Sequence, residues 1–258
     1  MADRKLKIDI RRNQILQLLR KEGRVTVAQL SKALGATEVT IRNDLTELER
    51  EGLLLRVQGG AVLAQGQKTA APGSAQILRL AQKQAIAGGI ADRIRDGDIL
   101  FINSGTTTAC VAEALRVRKN LKIVTNSIAV ATALGDVATL RVTLLGGDIN
   151  AQYGFTYGST AQEQLSQYQA NWAILSVDGV SAAGGITTYH AEEAILDRMM
   201  MGGAERTLIA ADSTKLGRTG FSRICDCAPG LTLVTDTCQS KETAQQLVDS
   251  GLQILFVE

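Results

Sequence analysis

Residues 11–62 have the sequence RRNQILQLLRKEGRVTVAQLSKALGATEVTIRNDLTELEREGLLLRVQGGAV, in which three amphipathic helical patterns precede a hairpin pattern. The first helical pattern ends at Gly23, a residue free to adopt a positive φ. Thr26 precedes the second helix, and Thr37 is the predicted N-cap of the third. The LLLRVQGG run at residues 53–60 predicts a strand, a tight turn and a returning strand. Together these elements predict a winged helix-turn-helix domain.

The third helix has a predicted apolar stripe and a polar face. The stripe consists of Val39, Ile41, Leu45 and Leu48. The polar face, near the N-terminal end, consists of Glu38, Thr40, Arg42 and Asn43. In helix-turn-helix proteins that end of the recognition helix enters the major groove. There Arg can bridge the acceptors of guanine and Asn can pair with adenine.

The hairpin adds two polar side chains, Arg56 and Gln58, that could reach phosphate or the minor groove. The predicted DNA-binding residues are Thr37, Glu38, Thr40, Arg42, Asn43, Arg56 and Gln58. The alternative is a three-helix interaction module with a solvated charged face. DNA binding is the favoured prediction.

Charge is divided unevenly along the chain. The formal net charge of the 258 residues is only +2. Residues 1–63 hold 12 basic against 8 acidic residues, whereas the remainder holds 16 against 18. This distribution favours a protein whose first part alone meets a phosphate backbone. Residues 64–76 lack bulky apolar residues and are a predicted linker.

Beyond the linker, β-rich runs alternate with helical patterns. Strands are predicted at residues 99–103, 121–126, 141–147, 172–178, 207–212, 231–236 and 252–257. Helices are predicted at about residues 77–94, 107–116, 127–135, 159–168, 191–201 and 240–249. Alternation of this kind predicts an α/β domain over residues 77–258 with a mostly parallel sheet and helices on both faces.

Small, polar and acidic residues follow most of these strands, at the end where open α/β sheets bind ligands. The first strand leads into Ser104, Gly105, Thr106 and Thr107, immediately before a helix. Backbone N–H groups and hydroxyls at a helix N-terminus form an anion site. Helix capping and turn chemistry are the alternative explanation of this segment. We predict a phosphate-binding loop at residues 104–107.

The N-terminal block resembles the DNA-binding domain of the DeoR family of bacterial sugar-responsive transcription regulators. The family patterns T-x-R-R-D-L and R-x-H-G-G-A correspond to T-I-R-N-D-L at residues 40–45 and R-V-Q-G-G-A at residues 56–61. Asn43 replaces the usual second Arg, and Gln58 replaces the usual His. The first change removes a cation and could alter base preference.

The second half also resembles this family, in the sensor domain, which is similar in fold to ribose-5-phosphate isomerase and binds phosphorylated sugars or related metabolites. The matching motifs are N-S-G-T-T at residues 103–107, T-N at 125–126, G-G at 146–147, D-G at 178–179 and D-S-T-K at 212–215. The resemblance implies that residues 104–107 hold the phosphate, that Lys83 and Lys215 supply positive charge, and that hydroxyls of the sugar meet carboxylates and amides. The implied effector-binding residues are Lys83, Asn103, Ser104, Gly105, Thr106, Thr107, Asn126, Gly146, Gly147, Asp178, Gly179, Glu193, Asp212 and Lys215.

Three departures from the sensor pattern concern the identity of the effector. Asn103 replaces the usual Asp, and the loop after Gly147 lacks an Arg found in many relatives. His190 stands where Asn is usual, three residues before Glu193, which the family shares. An imidazole there could respond to pH; a local hydrogen bond is the alternative.

An aldose–ketose isomerase is the rival prediction, because the resembling enzyme shares the fold. That reaction needs a carboxylate base and a group that stabilises the enediolate. The isomerase has a D-G-A-D-E-like stretch followed by a Lys-Gly-rich loop, whereas this chain has Asp178-Gly179-Val180-Ser181-Ala182 and then Ala183-Gly184-Gly185. The second acid and the loop lysine are absent, so we predict no catalytic residues. A purely architectural DNA-binding protein would leave the polar strand ends unexplained.

The remaining expectations concern partners and location. We predict no cofactor and no metal site, because the four cysteines are far in sequence from the only histidine. No apolar run approaches the roughly 18 residues of a membrane helix, and no signal peptide is visible, so a cytoplasmic protein is expected. A single DNA-binding domain makes few base contacts, so we expect a homo-oligomer, dimer or tetramer, on a double-stranded operator. The predicted function is repression of a carbohydrate-catabolism operon, relieved by a phosphorylated sugar, with activation as an alternative.

Overall fold

The computed structural model describes residues 11–12, 14–16, 18–19, 22–50, 54–57, 59–62, 79–151, 153–238 and 240–257. The chain divides into two units, Met1–Leu78 and Arg79–Glu258. The predicted linker at residues 64–76 lies outside the described residues. The predicted domain limits at residues 63 and 77 therefore stay predictions.

The N-terminal unit is a winged helix-turn-helix fold. Its described residues between 11 and 22 are helical, and two further helices and three strands follow. The elements are β1 (Arg24–Thr26), α1 (Val27–Leu34), α2 (Glu38–Arg50), β2 (Leu55–Val57) and β3 (Gly60–Val62). The sheet is antiparallel in the order β1-β3-β2, and its strand β1 was not predicted. The predicted α/β chain with an N-terminal winged domain is confirmed.

Side-chain caps begin both helices of the helix-turn-helix. The Gln29 backbone N donates to Thr26 Oγ1 at 3.2 Å, while the Thr26 backbone N donates to Gln29 Oε1 at 2.8 Å. This reciprocal pair is a capping box. The Thr40 backbone N donates to Thr37 Oγ1 at 3.3 Å, which confirms the predicted N-cap of α2.

The predicted apolar stripe of α2 is correct for Ile41, Leu45 and Leu48, which are all buried, and wrong for Val39. Val39 is 65% exposed. Successive helical residues are rotated by about 100°, so Val39 lies about 200° from Ile41 and points away from the core. A stripe that contains Ile41 therefore cannot include Val39.

The C-terminal unit is built around a seven-stranded parallel sheet in the order β15-β14-β12-β9-β4-β5-β6. These strands are β4 (Ile99–Ile102), β5 (Lys122–Thr125), β6 (Arg141–Leu144), β9 (Ala170–Ser176), β12 (Ala204–Ala210), β14 (Leu231–Thr235) and β15 (Gln253–Phe256). The helices are α3 (Leu80–Ala91), α4 (Thr106–Leu115), α5 (Ile128–Leu134), α6 (Ser159–Leu165), α7 (Ala191–Gly202) and α8 (Lys241–Asp249). The predicted parallel sheet is confirmed.

Helices cover both faces of this sheet and form two hydrophobic clusters. Ile86, Val111 and Val130 place α3, α4 and α5 in one cluster. Leu165, Leu196 and Leu247 place α6, α7 and α8 in the other. The strands between them are accordingly apolar on both sides, as parallel sheets require.

Two smaller β structures were not predicted. Strands β7 (Asp148–Asn150) and β8 (Phe155–Tyr157) form an antiparallel pair. Strands β10 (Gly179–Ser181), β11 (Gly185–Thr188) and β13 (Ser222–Cys225) form an antiparallel sheet. Strands of three or four residues rich in Gly, Ser and Thr give little periodic signal. Among the described residues, no helix is long and apolar enough to cross a membrane.

Candidate functional site

The N-terminal end of α2 presents a polar, exposed face. Arg42 Nη2 donates to Glu38 Oε2 at 2.6 Å, and both side chains are about half exposed. Asn43 is exposed beside them. The Thr37 and Thr40 hydroxyls lie 2.8 Å apart and bond to each other. Arg42 and Asn43 are thus exposed polar side chains near the N-terminal end of α2.

The wing, which is the hairpin formed by β2 and β3, contacts α2 through Arg56. Its backbone N donates to Glu49 Oε1 at 2.8 Å, and its Nη1 donates to Thr46 Oγ1 at 2.8 Å. Arg56 is exposed, so its guanidinium carries positive charge beside the recognition helix. Gln58, the other predicted wing residue, lies outside the described residues.

Asp44, further along α2, is buried and ion-paired. Its carboxylate accepts from Arg11 Nε at 2.5 Å and from Arg12 Nε at 3.3 Å. These contacts attach the first helical segment to α2. The pairing agrees with a role for Asp44 inside the domain rather than at DNA.

In the C-terminal unit, the predicted phosphate-binding loop runs from just after β4 into the first turn of α4, which begins at Thr106. Gly105 has a φ of +151°, and a Cβ on it would come within 2.5 Å of Ser176 Cβ. The loop thus approaches the end of β9 so closely that only glycine fits. Thr107 is buried, while Thr106 is partly exposed at the first turn of the helix.

Ser104 connects this loop to a chain of buried polar groups. Its hydroxyl donates to Glu193 Oε1, on α7. The Thr188 hydroxyl lies 3.1 Å from both Glu193 Oε2 and Asp178 Oδ2. Lys215 Nζ lies 3.4 Å from Asp178 Oδ1. The structure therefore brings together four of the predicted site residues, Ser104, Glu193, Asp178 and Lys215, with Thr188, which the sequence did not single out.

Asn103 and Asp197 form a second buried pair behind the loop. Asn103 Nδ2 donates to Asp197 Oδ1 and to the Ser176 backbone oxygen, both at 2.9 Å. Asn103 Oδ1 accepts from the Ser176 backbone N at 2.8 Å. Both hydrogens and an acceptor of the Asn103 amide are thus used within the protein. These contacts favour a structural role for Asn103 over direct contact with an effector.

Burial acts strongly on the carboxyl groups of α7. It raises the pKa of Glu193 to about 7, and the nearby charge of Asp178 adds to the rise, against the Ser104 and Thr188 hydrogen bonds. Burial, followed by the charge of Glu193, also raises the pKa of Asp197. Asp197 Oδ2 has no hydrogen-bond partner among the described residues. Protonation of these carboxyl groups avoids placing two buried negative charges side by side.

Asp212 has two basic side chains near it, the predicted Lys83 and also Arg79. Lys83 is buried in α3, and burial lowers its pKa while Asp212 opposes the shift. Arg79 Nη1 lies 3.9 Å from Asp212 Oδ1 and donates to Ser213 Oγ at 3.2 Å. Asp236 accepts from the Ser213 backbone N at 2.7 Å. No motif marked Arg79, and Asp236 was marked only as one of the polar residues that end the predicted strands.

The remaining predicted site residues contact other parts of the unit. Asn126 is fully buried, and its Nδ2 donates to the Thr156 backbone oxygen at 3.3 Å. The Gly146 backbone N donates to Gln164 Oε1 at 2.8 Å. A Cβ on Gly147 would come within 2.3 Å of the Tyr157 backbone oxygen, and one on Gly179 within 2.6 Å of the Arg218 backbone oxygen. Both glycines therefore permit close backbone approach.

His190 packs against aromatic side chains of the β7–β8 region. Its ring centroid lies 4.3 Å from that of Tyr153 and 5.7 Å from that of Phe155. Burial lowers the pKa of His190, although Asp178 and Glu192 oppose the shift. The neutral imidazole is accordingly favoured at neutral pH. Among the described residues, no group of three or more His, Cys, Asp and Glu side chains could hold a metal ion.

Glu193→Gln should remove a pH dependence of stability. A carboxyl whose pKa rises from 4.5 to about 7 on folding stabilises the protein fully below pH 4.5. That contribution is lost as the pH rises through 7, by up to about 3 kcal/mol in total. Urea unfolding at several values between pH 5 and pH 8 measures it. The stability of wild type relative to Glu193→Gln should fall as the pH rises.

Glu192→Gln is the matched control for this pH experiment, because Glu192 is the exposed neighbour on the same helix. It removes the same formal charge without touching the buried contacts, so the wild-type pH dependence should remain. Equal pH dependence of wild type and Glu193→Gln would contradict the assigned titration.

Comparisons with known proteins bear on both units. The family model for the DeoR-like helix-turn-helix domain matches residues 11–67, and that for the DeoR C terminal sensor domain matches residues 78–237. The chain is 31% identical over 250 residues to a putative aga operon transcriptional repressor of Escherichia coli O157:H7, covering 96% of this chain and 93% of the relative. It is 29% identical to the glycerol-3-phosphate regulon repressor of Escherichia coli strain K12, covering 95% and 97%.

A solved structure of ribose 5-phosphate isomerase A from Methanocaldococcus jannaschii is also similar, with a TM-score of 0.39, 13% identity and 52% of each chain covered. The two family matches together span most of the chain and fall on its two units in order. They define a DNA-binding transcriptional regulator with a sensor domain. The chain belongs to the DeoR family.

Proposed function

We propose that this protein represses a carbohydrate-catabolism operon and leaves the operator when a phosphorylated sugar binds the C-terminal unit. The observation that carries the proposal is the loop at residues 104–107. Gly105 allows this loop to lie close to Ser176 at the end of β9, and α4 begins at the next residue. A helix N-terminus with adjacent hydroxyls favours an anion. Lys83 and Lys215 add positive charge in the same part of the unit.

The residues that we propose for DNA binding are Thr37, Glu38, Thr40, Arg42, Asn43, Arg56 and Gln58. In the effector site, we propose direct contacts from the loop, from Asp178 and from the two lysines. Glu193 and Asn103 hold these groups in position through the hydrogen bonds of Glu193 with Ser104 and of Asn103 with Ser176. Asn126, Gly146, Gly147, Gly179 and Asp212 complete the proposed site.

A homo-oligomer, dimer or tetramer, in the cytoplasm completes the proposal. Two tethered winged domains bind spaced half-sites better than one, because the second contact occurs at high effective concentration. The effector acts by binding one state of the protein better than the other. A coupling of about 1–3 kcal/mol changes operator affinity by roughly 5- to 150-fold.

A thermal-shift panel tests the effector class. The purified protein is heated with phosphorylated sugars, their unphosphorylated parents and inorganic phosphate. A ligand at about 100 times its Kd stabilises by roughly 2.7 kcal/mol. One phosphosugar should therefore raise Tm by several degrees while its parent sugar has no effect. A flat response across the panel would refute the phosphosugar proposal.

The same panel separates regulation from catalysis. An isomerase would convert its phosphosugar to the ketose or aldose partner, which chromatography of the incubated mixture detects. We expect binding without conversion, since the proposed site uses its buried acid, Glu193, to accept hydrogen bonds from Ser104 and Thr188. Conversion at a rate above that without protein would contradict this expectation.

Thr106→Val should weaken phosphosugar binding by about tenfold or more. The substitution keeps the shape of the side chain and removes a hydroxyl at the first turn of α4; a hydrogen bond to a charged group contributes about 1.5–3 kcal/mol. Calorimetric titration gives the Kd. Thr132→Val is the control, because Thr132 is an exposed threonine on α5. Unchanged affinity in Thr106→Val would remove this hydroxyl from the site.

A further inference from the structure

Val39 is an apolar side chain on the proposed DNA-reading face. It is 65% exposed, and Glu38, Arg42 and Asn43 around it are exposed and polar. Among the described residues of the N-terminal unit, it is the only exposed large hydrophobic side chain. The folded domain thus leaves one apolar group at the surface, near the start of the recognition helix.

Helix geometry fixes the neighbours of Val39. Residues four apart lie in one row on a helix surface, with Cβ atoms about 5–6 Å apart. The Glu38–Arg42 ion pair at 2.6 Å shows one such row in this structure. Val39 and Asn43 form the row beside it. The valine therefore stands next to the two side chains proposed to contact bases.

Folding of α2 gives no reason for valine at this position. A β-branched residue is a poorer helix former than alanine or glutamate. Its exposed methyl groups gain nothing until they meet another apolar surface. In the major groove the apolar group on a base edge is the C5-methyl of thymine. The exposed methyl groups of Val39 and the C5-methyl of thymine are therefore apolar surfaces that can bury each other.

We infer that Val39 reads a thymine in each half-site through contact with its C5-methyl group. This inference rests on the proposed role of α2 in reading bases. The thymine lies within two base pairs of the base contacted by Asn43, because 5–6 Å along the helix surface is less than two base-pair rises of about 3.4 Å. Val39 is then a determinant of operator specificity alongside Arg42 and Asn43.

The test uses DNA that differs by single methyl groups. Selection from a pool of random duplexes with the purified full chain gives the operator probe. Each thymine of one half-site is then replaced by deoxyuridine, which removes the C5-methyl and keeps base pairing. The Kd of each duplex is measured for wild type, for Val39→Ala and for Val117→Ala. Val117 is 80% exposed in the C-terminal unit and serves as the matched control.

One thymine position should lose about fourfold in wild-type affinity on replacement by deoxyuridine, as burial of one methyl group predicts. Val117→Ala should show the same loss. Val39→Ala should bind the thymine duplex more weakly and show a smaller difference between thymine and deoxyuridine at that position than wild type does. This coupling separates methyl contact from a general effect of the substitution, because Val39 is exposed and contributes little to the core.

Two results would overturn the inference while the DNA-reading role of α2 stands. One is a wild-type protein that does not distinguish thymine from deoxyuridine at any position of a selected operator. The other is Val39→Ala that distinguishes them as wild type does. Failure to select any preferred duplex would instead refute sequence-specific binding, and the inference with it.

Discussion

Arg42→Ala should lower the affinity for the selected operator by roughly 30- to 25,000-fold. A bidentate Arg contact to guanine contributes about 1–3 kcal/mol, and a two-fold assembly loses it in both half-sites. In the free protein the Arg42 guanidinium is exposed and, among the described residues, pairs only with Glu38 on its own helix. Such an i, i+4 surface pair contributes a few tenths of a kcal/mol, so the fold should be retained.

Fluorescence anisotropy with operator and random duplexes measures this effect. Lys32→Ala is the control, since it removes an exposed cation of the same domain outside the recognition helix. Lys32→Ala should lower the DNA affinity by less than about threefold, and by the same factor on operator and random duplexes. An equal loss on operator and random DNA in Arg42→Ala would make the residue a phosphate contact. A lower Tm would make it a folding residue. Phosphosugar binding should be unchanged.

Gly105→Ala should abolish the response to the effector and destabilise the C-terminal unit. The added Cβ would lie 2.5 Å from Ser176 Cβ and 2.6 Å from its Oγ, at a φ of +151° that side chains rarely adopt. Overlap and backbone strain together cost about 2–4 kcal/mol. Relief requires the loop to move away from β9. The backbone N–H groups at the start of α4 are then misplaced for an anion.

Gly88→Ala is the control for Gly105→Ala. Gly88 lies within α3, and a Cβ on it would meet no atom within 4 Å. Alanine there should raise stability by about 0.5–1 kcal/mol and leave effector binding unchanged. The measurements are urea unfolding and the phosphosugar concentration that releases operator DNA. Release by Gly105→Ala at the wild-type concentration would show that the anion does not bind at this loop.

Local patterns predicted most of the architecture. Strand and helix positions in the C-terminal unit follow from runs of apolar residues and from polar residues that end them. The helix-turn-helix was predicted for the same reason, because caps such as Thr26 and Thr37 are read from neighbouring residues. Val39 was assigned to the wrong face, although helical spacing alone places it about 200° from Ile41.

The contacts of the candidate site could not be derived from the chain alone. Ser104 and Glu193 are 89 residues apart, and Arg79 and Ser213 are 134 apart. Family motifs marked most of these residues, but nothing local indicated that Asn103 would use its amide on Asp197 and Ser176. Thr188 was missed because its partners, Asp178 and Glu193, are brought to it only by the tertiary fold.

The order of strands has a consequence for synthesis on the ribosome. Strand β4 lies between β9 and β5, yet β5 and β6 follow it directly along the chain. The Asn103–Ser176 bonds, which join the ends of β4 and β9, span 73 residues. At about 5–20 residues per second, β9 emerges roughly 4–15 seconds after β4. During that interval the sequence ILFI of β4 is an open hydrophobic edge, which makes the nascent chain vulnerable to aggregation until β9 covers it.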